Sequence, residues 1–364
     1  MLCDMLALDS YVTLGRSGLR VSPLTLGTMT FGEDWGWGAD PETSHQLLST
    51  YLDAGGNAID TANIYTNGHS ERIVGDFLAA RPGLRDRLVL GTKFFGNLHL
   101  GDPNGGGAGR KALIEQCEQS LRRLRTEYLD LLWLHNWDRG TPIEETLRAL
   151  DDLVRDGKVR YLGFSDVPAW VASEAQTIVH FRGWSPVVAL QLEYSLLERT
   201  VEGALIPMAQ AHGMGVMPWS PLKNGHLSGK YRRDGAVPED AKRAAMISGT
   251  SEAEWAVIDE LNAVADELGA APAAVAIAWV VSRPGVASTL LGARTPEQLR
   301  VNLTALDVTL DNAQRARLDA VSAPELDFPA QYNEHAAILQ FAGATVDGVA
   351  HPANPPLADN LARY

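Results

Sequence analysis

The chain has 364 residues, of which 45% are hydrophobic, and a formal net charge of −14. This predicts a globular protein with a large core and argues against nucleic acid as a partner, because a phosphate backbone needs a basic face. Its two cysteines, Cys3 and Cys117, are too few for a disulfide framework. The first residues lack the basic region of a secretory signal, and no apolar run reaches the roughly 18 residues of a membrane span. We therefore expect a cytoplasmic protein without a membrane partner.

Short apolar runs alternate with longer amphipathic ones along the chain. Several short runs are almost continuously apolar, such as LVLGTK and LDLLWLH, which is typical of strands covered on both faces of a parallel sheet. The predicted strands are Leu24–Met29, Asn57–Thr61, Leu88–Lys93, Leu129–His135, Arg160–Ser165, Val187–Glu193, Gly215–Trp219 and Ser288–Gly292. The main predicted helices are Thr43–Ala54, Arg110–Arg125, Ile143–Asp156, Thr200–His212 and Ser251–Leu268. Eight strands alternating with helices predict an α/β fold, either a doubly wound sheet or a closed barrel.

Local signals mark the ends of these elements. Three helix starts fit capping boxes: Thr43 with Gln46, Thr141 with Glu144, and Thr295 with Gln298. The glycine-rich segment His99–Gly109 predicts a mobile loop over one end of the fold. We expect one domain over residues 1–364, with a barrel at about 14–322 and an irregular C-terminal tail, about 323–364, draped over the barrel mouth.

The positions of polar residues favour a (β/α)8 TIM barrel over an open sheet. Six polar side chains stand at or beside the ends of six different predicted strands: Asp60, Lys93, His135, Ser165, Gln191 and Ser220. An open sheet gathers its site at one crevice, whereas a barrel brings all eight strand ends to one mouth. No G-x-G-x-x-G lies between a strand and a helix, which removes the main sign of a Rossmann site.

Four residues near these strand ends have complementary chemistry. A tyrosine has a pKa of about 10, and a nearby ammonium stabilises its phenolate and lowers that value. Lys93 can therefore act on Tyr65, and Asp60 can keep Lys93 charged at a closed mouth. His135 can direct an N–H at a carbonyl oxygen. A strand-end Lys or Asp is also commonly a solvated loop residue, and a His after an apolar strand a structural one, so spacing alone leaves both interpretations open.

Three motifs resemble the aldo-keto reductase family in their order and spacing: IDTANIYTNGHSERIVG, LGTKF and YLDLLWLHNWD. The resemblance extends from about residue 14 to 306 and matches the family's catalytic residues to Asp60, Tyr65, Lys93 and His135. It implies a barrel oxidoreductase that transfers a hydride between NADPH and the carbonyl of an aldehyde or ketone. In this scheme Tyr65 gives the proton, Lys93 lowers the pKa of Tyr65, Asp60 holds Lys93, and His135 orients the substrate. The cofactor supplies the hydride chemistry.

The resemblance also implies a nicotinamide site. The segment GFSDVPAW, residues 163–170, matches the family's amide-binding position, with Ser165 and Asp166 as contacts. Many members carry Asn at this place, and the Asp version resembles the aryl-alcohol dehydrogenase branch; an ionised Asp accepts a hydrogen bond but does not donate one. Gln191 matches the amide-binding glutamine, and Tyr194 matches the ring that stacks under the nicotinamide. Core packing is the alternative role for Tyr194.

Two later segments resemble the family's phosphate-binding parts. PWSPLKNGHLSGKY, residues 218–231, resembles the pyrophosphate loop. LLGARTPEQLRVN, residues 290–302, places a helix start and Arg294 after the last strand, and an arginine that forks onto a 2′-phosphate favours NADPH over NADH. Gln298 and Asn302 match the family's other contacts at the adenosine end, although Gln298 also fits a capping role. The remaining implied cofactor contacts are Thr28, Met29, Asp60, Trp219, Ser220, Pro221, Leu222, Lys230 and Gly292.

Aromatic residues near the predicted mouth indicate the class of substrate. Three aromatic residues, Phe31, Trp35 and Trp137, fall near the predicted mouth and suggest a pocket for an apolar or aryl carbonyl substrate. We expect a monomer or a small homo-oligomer. A metal hydrolase on the same barrel is disfavoured, because the chain has neither His-x-His at a strand end nor HExxH, and we expect no metal. A redox-sensing channel subunit with slow catalysis is the alternative, since such family members keep the same four residues.

Overall fold

The computed structural model describes residues 6–231, 233, 250–334, 336–353 and 355, and its centre is a barrel of eight parallel strands. A short N-terminal hairpin precedes the barrel, with strands β1 (Val12–Thr13) and β2 (Arg20–Val21). The barrel strands are β3 (Leu24–Gly27), β4 (Ala58–Asp60), β5 (Val89–Phe94), β6 (Leu129–Leu134), β7 (Val159–Ser165), β8 (Val187–Glu193), β9 (Gly215–Trp219) and β10 (Thr289–Leu291).

Consecutive strands pair in sequence order, and β10 pairs with β3. Between β9 and the segment before β10 the ring is completed by a parallel bridge of Val216 with Val286. The barrel predicted from the sequence is confirmed, and each predicted strand begins and ends within two residues of the observed one. The prediction succeeded because strands buried on both faces are uninterrupted apolar runs.

Helices connect the strands and cover the outside of the barrel. They are α1 (Pro41–Asp53), α2 (His69–Ala79), α3 (Arg110–Leu124), α4 (Ile143–Arg155), α5 (Ala169–Arg182), α6 (Leu205–His212), α7 (Glu252–Leu268), α8 (Pro272–Val281), α9 (Pro296–Leu303) and α10 (Asn312–Val321). No single helix in the described ranges is long and apolar enough to cross a membrane; the bent pair α7 and α8 meets that test only by joint length and composition.

None of the three predicted capping boxes forms in full, and only one of the three predicted N-caps is observed. Helix α1 begins earlier than predicted, because the side chain of Asp40 accepts a hydrogen bond from the backbone N–H of Thr43. The hydroxyl of Thr141 donates to Asp138 and does not cap α4. At α9 the cap is confirmed, since Thr295 accepts from the backbone N–H of Gln298.

The C-terminal tail contains two short helices and a hairpin. Helices α11 (Ala330–Glu334) and α12 (Ala336–Phe341) precede strands β11 (Thr345–Val346) and β12 (Val349–Ala350). The tail lies against Gly203, in the connection that follows β8. Cys117 is buried in α3, whereas Cys3 lies outside the described residues.

Candidate active site

The polar residues predicted at the strand ends lie on one rim of the barrel. Asp60, Ser165 and Trp219 are the last residues of β4, β7 and β9, and His135 directly follows β6. Because all eight strands are parallel, these ends open on the same face. The barrel therefore places six separate segments of the chain around one mouth, where their side chains can act on one small molecule.

Lys93 is the centre of this group. Its side chain is 1% exposed, and Nζ contacts a carboxylate oxygen of Asp60. The same Nζ donates hydrogen bonds to the carbonyl oxygen of Thr61 at 2.9 Å and to the hydroxyl of Tyr65 at 3.0 Å. The other carboxylate oxygen of Asp60 accepts from Gln191 Nε2 at 3.2 Å. All three donor directions of the ammonium are occupied, so its position is fixed.

Tyr65 reaches Lys93 because the chain after β4 makes a tight, strained turn. Thr66 and Asn67 have backbone φ angles of 44° and 56°, which residues other than glycine rarely adopt. The hydroxyl of Thr66 stabilises the turn: it donates to the carbonyl of Phe31 and accepts from the backbone N–H of Ser70. Strain of this kind persists where the surrounding contacts overdetermine it, and it is often found at functional sites.

The electrostatics of the cluster keep both Tyr65 and His135 neutral. Burial opposes the charge of Lys93, but Asp60 and Tyr65 together raise the pKa of Lys93 above its usual value. Burial raises the pKa of Tyr65 even though Lys93 opposes this shift, so the net direction is opposite to the sequence-based expectation. Burial, together with the charge of Lys93, lowers the pKa of His135 to about 3. At neutral pH the phenol holds its proton, and the imidazole can donate one N–H.

These properties define what the arrangement can do chemically. The ring of Tyr65 stands edge-on to the ring of His135, with their centroids 5.8 Å apart. A phenol beside an ammonium can donate its proton to an oxygen, because the ammonium stabilises the phenolate that results. A neutral imidazole can donate a second hydrogen bond to the same oxygen. The pair is suited to a reaction in which negative charge develops on oxygen.

A cavity of about 620 Å³ opens beside His135. Its size is within the usual range for sites that bind small organic molecules. It is bounded by one residue of the turn after β4, the loop after β5 and the residues after β6, namely Ile64, Phe95, Gly96, Asn97, Pro103, Gly106, Gly107, His135, Asn136 and Asp138. Most of the accessible surface of this wall is apolar, but none of the three predicted aromatic residues is among the residues that line it.

The three predicted substrate residues differ in their positions. Phe31 is 0% exposed and packs in the core, and its backbone forms a parallel bridge with Ala39. The ring therefore shows no accessible surface at the mouth, and the substrate role of Phe31 stays a prediction. Trp35 lies edge-on to Tyr65 at 6.4 Å between ring centroids, and Trp137 packs against Trp170 at 5.2 Å. These two tryptophans are half-buried and close to the mouth, but neither lines the cavity.

The predicted nicotinamide contacts meet on the side of the mouth formed by β7, β8 and β9. The indole N–H of Trp219 donates to Asp166 at 3.1 Å. Ser165, the last residue of β7, donates to the second carboxylate oxygen of Asp166. Gln191 is two residues before the end of β8 and contacts Asp60. The protein atoms packed around the Asp166 carboxyl disfavour its charge and raise its pKa to about 6, and the charge of Glu193 adds to this.

Tyr194 is not brought to this group. It is 1% exposed, and its hydroxyl donates to Glu202 at 2.6 Å while accepting from Arg283 at 3.1 Å. Its ring packs edge-on against Trp279. The structure gives Tyr194 the core-packing role, and Trp219 is the half-buried aromatic residue beside Asp166.

The remaining predicted cofactor residues follow the ends of β3, β9 and β10. Ser220 has a φ of 55°, and its hydroxyl accepts from the backbone N–H of Asn224. The side chain of Gln298 accepts from the backbone N–H of Arg294 at 2.9 Å, and Asn302 donates to the carbonyl of Gly292. The others are Thr28 and Met29 after β3, and Pro221, Leu222 and Lys230 after β9.

Two buried residues that the sequence analysis missed connect the segments of the site. Asn63, on the Tyr65 segment, donates to the side chain of Gln116, and Gln116 also accepts from the backbone N–H of Phe95. Gln116 lies on the buried face of α3, three residues after Leu113 and four residues before Ser120. A polar residue on a buried stripe needs a hydrogen-bond partner, and this signal was available in the sequence.

Comparisons with known proteins give the family of this chain. The model of the aldo/keto reductase family matches residues 23–323. An uncharacterized oxidoreductase YrpG of Bacillus subtilis is 38% identical over 83% of this chain and 92% of its own. An aryl-alcohol dehydrogenase (NADP+) of Phanerodontia chrysosporium is 36% identical over 86% of this chain and 85% of its own. A probable voltage-gated potassium channel subunit beta of Arabidopsis thaliana is 36% identical over 82% of this chain and 91% of its own.

Fold and comparisons together define an oxidoreductase that acts on carbonyl compounds or alcohols, in a class that uses nicotinamide cofactors. The chain belongs to the aldo/keto reductase family. Its relatives include aryl-alcohol dehydrogenases and norsolorinic acid reductases, which matches the branch indicated by the sequence. Within the described part of the chain, no group of three or more His, Cys, Asp or Glu side chains is arranged to hold a metal ion.

The raised pKa of Asp166 predicts that the free energy of unfolding depends on pH. Its pKa is about 6 in the folded protein, against an ordinary value of 3.8. Between these values the folded state binds more protons than the unfolded state, so this group lowers the free energy of unfolding as the pH rises through the window. Asp166→Asn removes the effect, and urea unfolding should show that the variant gains stability relative to wild type between about pH 4 and pH 7. A difference between the two proteins that stays constant with pH would contradict the assignment.

Proposed function

We propose that the protein is an NADPH-dependent reductase of aldehydes or ketones, with Tyr65 as the general acid. The observation that carries the proposal is the contact between the buried Lys93 ammonium and the Tyr65 hydroxyl at 3.0 Å, next to a cavity of about 620 Å³. A reducible carbonyl compound needs a proton donor and a stabiliser of negative charge at its oxygen. Tyr65 and His135 offer both.

Each residue of the cluster has a distinct part in the proposal. Tyr65 is protonated at neutral pH, and it releases its proton to the substrate oxygen as negative charge develops there. Lys93 stabilises the phenolate that is left, and Asp60 keeps Lys93 charged and in place. His135 donates its N–H to the substrate oxygen and aligns the carbonyl. When bound, the nicotinamide supplies the hydride.

The residues at the mouth fit a nicotinamide carboxamide. An amide needs both a donor and an acceptor, and the side chains of Ser165, Asp166 and Gln191 provide them. The half-buried indole of Trp219, next to Asp166, is the aromatic surface that the ring can pack against. We therefore transfer the stacking role from Tyr194, whose hydroxyl and ring are already engaged in the core, to Trp219.

The segment after β10 supports NADPH as the form of the cofactor. Thr295 caps α9, and Arg294 stands one residue before this cap. A guanidinium beside the N-terminus of a helix suits a 2′-phosphate, which only NADPH carries. Lys230 follows the 220–229 turn and adds a second cation to the proposed dinucleotide path.

The cavity supports a small carbonyl compound as the substrate. Its volume holds a substituted aromatic ring, and Phe95 and Ile64 supply apolar surface beside the polar groups of Asn97 and Asn136. The names of the aryl-alcohol dehydrogenase relatives favour an aryl aldehyde or the corresponding alcohol. The proposal includes action in the cytoplasm as a monomer or a small homo-oligomer.

A redox-sensing subunit with slow turnover is the second candidate, and the similarity to a probable potassium channel subunit favours it. The two candidates differ in turnover. Sustained oxidation of NADPH with an aryl aldehyde supports the reductase. A stable cofactor complex that oxidises NADPH only slowly with every member of a panel of aryl aldehydes, sugars and dicarbonyls supports the sensor.

Removing the proposed acid tests the function directly. Tyr65→Phe takes away only the hydroxyl, so we expect NADPH to bind as tightly as before while turnover of an aryl aldehyde falls by about 100-fold or more. Fluorescence titration gives the binding and the NADPH absorbance band gives the turnover. Turnover at the wild-type rate would show that the proton comes from another group.

The preference for NADPH depends on Arg294 in this proposal. Arg294→Ala should weaken NADPH binding by about tenfold, because a charge-assisted pair with the 2′-phosphate is lost, and should leave NADH binding almost unchanged. Arg300→Ala is the matched control, since Arg300 lies on the same helix, is exposed and pairs with Glu297. Equal losses for both dinucleotides, or an equal effect of Arg300→Ala, would argue against the assignment.

A further inference from the structure

One buried amide joins three segments around the carbonyl cavity. Gln116, on α3, is 4% exposed. Its Oε1 accepts hydrogen bonds from Asn63 Nδ2 at 3.0 Å and from the backbone N–H of Phe95 at 2.8 Å. Its Nε2 donates to the carbonyl oxygens of Gly107 at 3.0 Å and Ala112 at 3.1 Å. Both acceptor sites and both donor sites of the amide are therefore used.

These contacts fasten both ends of the loop that forms one wall of the cavity. Phe95 begins the loop and Gly107 is close to its end, and both line the cavity. The two ends also meet directly, because the backbone N–H of Gly107 donates to the carbonyl of Phe95 at 2.8 Å. Between them the chain is glycine-rich and makes mainly short-range contacts, such as Asn97 with Asp102. The shape of this wall thus depends on how its two ends are held.

The same amide reaches the segment that carries the proposed acid. Asn63 lies two residues before Tyr65, and its Nδ2 also donates to the carbonyl of Gly96 at 2.8 Å. Its Oδ1 is buried and has no hydrogen-bond partner within the described chain, so the donors on Nδ2 are what hold the Asn63 amide. Gln116 and Asn63 together connect the wall of the cavity to the Tyr65 turn.

We propose that Gln116 is a positioning residue for the carbonyl substrate, which sets the distance between the cavity wall and Tyr65 and so determines substrate affinity. The inference rests on the proposed reductase function. The cluster around Lys93 keeps its own contacts with Asp60, Thr61 and Tyr65, none of which involves Gln116. Most predicted cofactor residues lie in or after β7 to β10, and the others, Thr28, Met29 and Asp60, follow β3 or end β4. None of the hydrogen bonds of Gln116 involves any of them. Loss of the amide should therefore affect the substrate more than the cofactor or the chemical step.

The test compares the buried Gln116 with the half-buried Gln176. Gln116→Met keeps the volume of the side chain and removes its hydrogen bonds. Gln116→Glu keeps the acceptor toward Asn63 and Phe95 and replaces the donor toward Gly107 and Ala112 with an oxygen. Gln176→Met is the matched control: Gln176 also ties a helix to a strand, with hydrogen bonds to the backbone of Val187 at 2.9 and 3.0 Å, but at the start of β8, away from the mouth.

For Gln116→Met we expect the KM for an aryl aldehyde to rise about tenfold, while kcat and the Kd for NADPH change by less than about twofold. Gln116→Glu should give a rise in KM at least as large, because a buried carboxylate oxygen then faces the carbonyl oxygens of Gly107 and Ala112, and Gln176→Met should give none. An unchanged KM for Gln116→Met, or a Kd for NADPH that rises by the same factor, would overturn the proposal. So would an equal rise in KM for Gln176→Met, because the effect would then be general loosening.

Hydrogen exchange separates this inference from the proposed function. Gln116→Met should speed amide exchange in residues 96–107, whereas Gln176→Met should not, and this comparison needs no turnover. If the wild-type protein fails to reduce any aldehyde but the loop still loses protection only in Gln116→Met, the reductase proposal fails while the positioning contact stands. Unchanged exchange in this loop would overturn the positioning role even in an active enzyme.

Discussion

The ammonium of Lys93 is buried at the mouth of the barrel among the oxygens of Asp60, Thr61 and Tyr65, and the rest of the site depends on how its charge is balanced. An ammonium in low-dielectric surroundings costs several kcal/mol unless a carboxylate and further acceptors compensate it. Asp60 supplies the opposite charge, and the two neutral oxygens use the remaining donors. The hydroxyl of Tyr65 is thus held in place by the same contacts that keep Lys93 charged.

The barrel makes this balance possible because it assembles the partners from distant parts of the chain. Asp60 ends β4, Lys93 is near the end of β5, and Gln191 reaches Asp60 from β8. The ring of parallel strands places each of these side chains on the same face of the barrel, while the strands pair with their neighbours through backbone hydrogen bonds. Loops then form the surroundings of the cluster. The strained turn after β4 positions Tyr65, and the loop after β5 forms one wall of the cavity.

Much of this arrangement was predictable from the sequence, because buried parallel strands are apolar runs and the residues at their ends are polar. Helices that are buried on all sides were harder to predict from the sequence. Helix α8 has the sequence PAAVAIAWVV and is buried on nearly every side, so it lacks the helical period that marks a half-exposed helix. The 3₁₀ turn and the break at Gly203 that precede α6 were also not evident, and the predicted helix began at Thr200.

The differences at the site between expectation and structure have one physical cause, which is that a sequence does not report the direction of a side chain. Phe31 was assigned to the substrate as an aromatic residue near the predicted mouth, and Tyr194 to the cofactor by the family resemblance, yet both rings are buried in the core. For Tyr194, the partners that hold the hydroxyl, Glu202 and Arg283, come from separate segments whose contact is created only by the fold. Gln116 shows the converse case, in which a polar residue on an apolar stripe gave a usable signal.

The central claim is that Lys93 acts on the substrate only through Tyr65, and substituting Lys93 in two backgrounds tests it. In the wild type, Lys93→Met should slow NADPH oxidation by an aryl aldehyde by about 100-fold in single turnovers, and in Tyr65→Phe the same substitution should change the rate by less than about twofold, because residues that act as a unit are not additive. NADPH binding by each variant serves as the check that it is folded. An equal loss in both backgrounds would show that Lys93 contacts the reaction independently and would contradict this account.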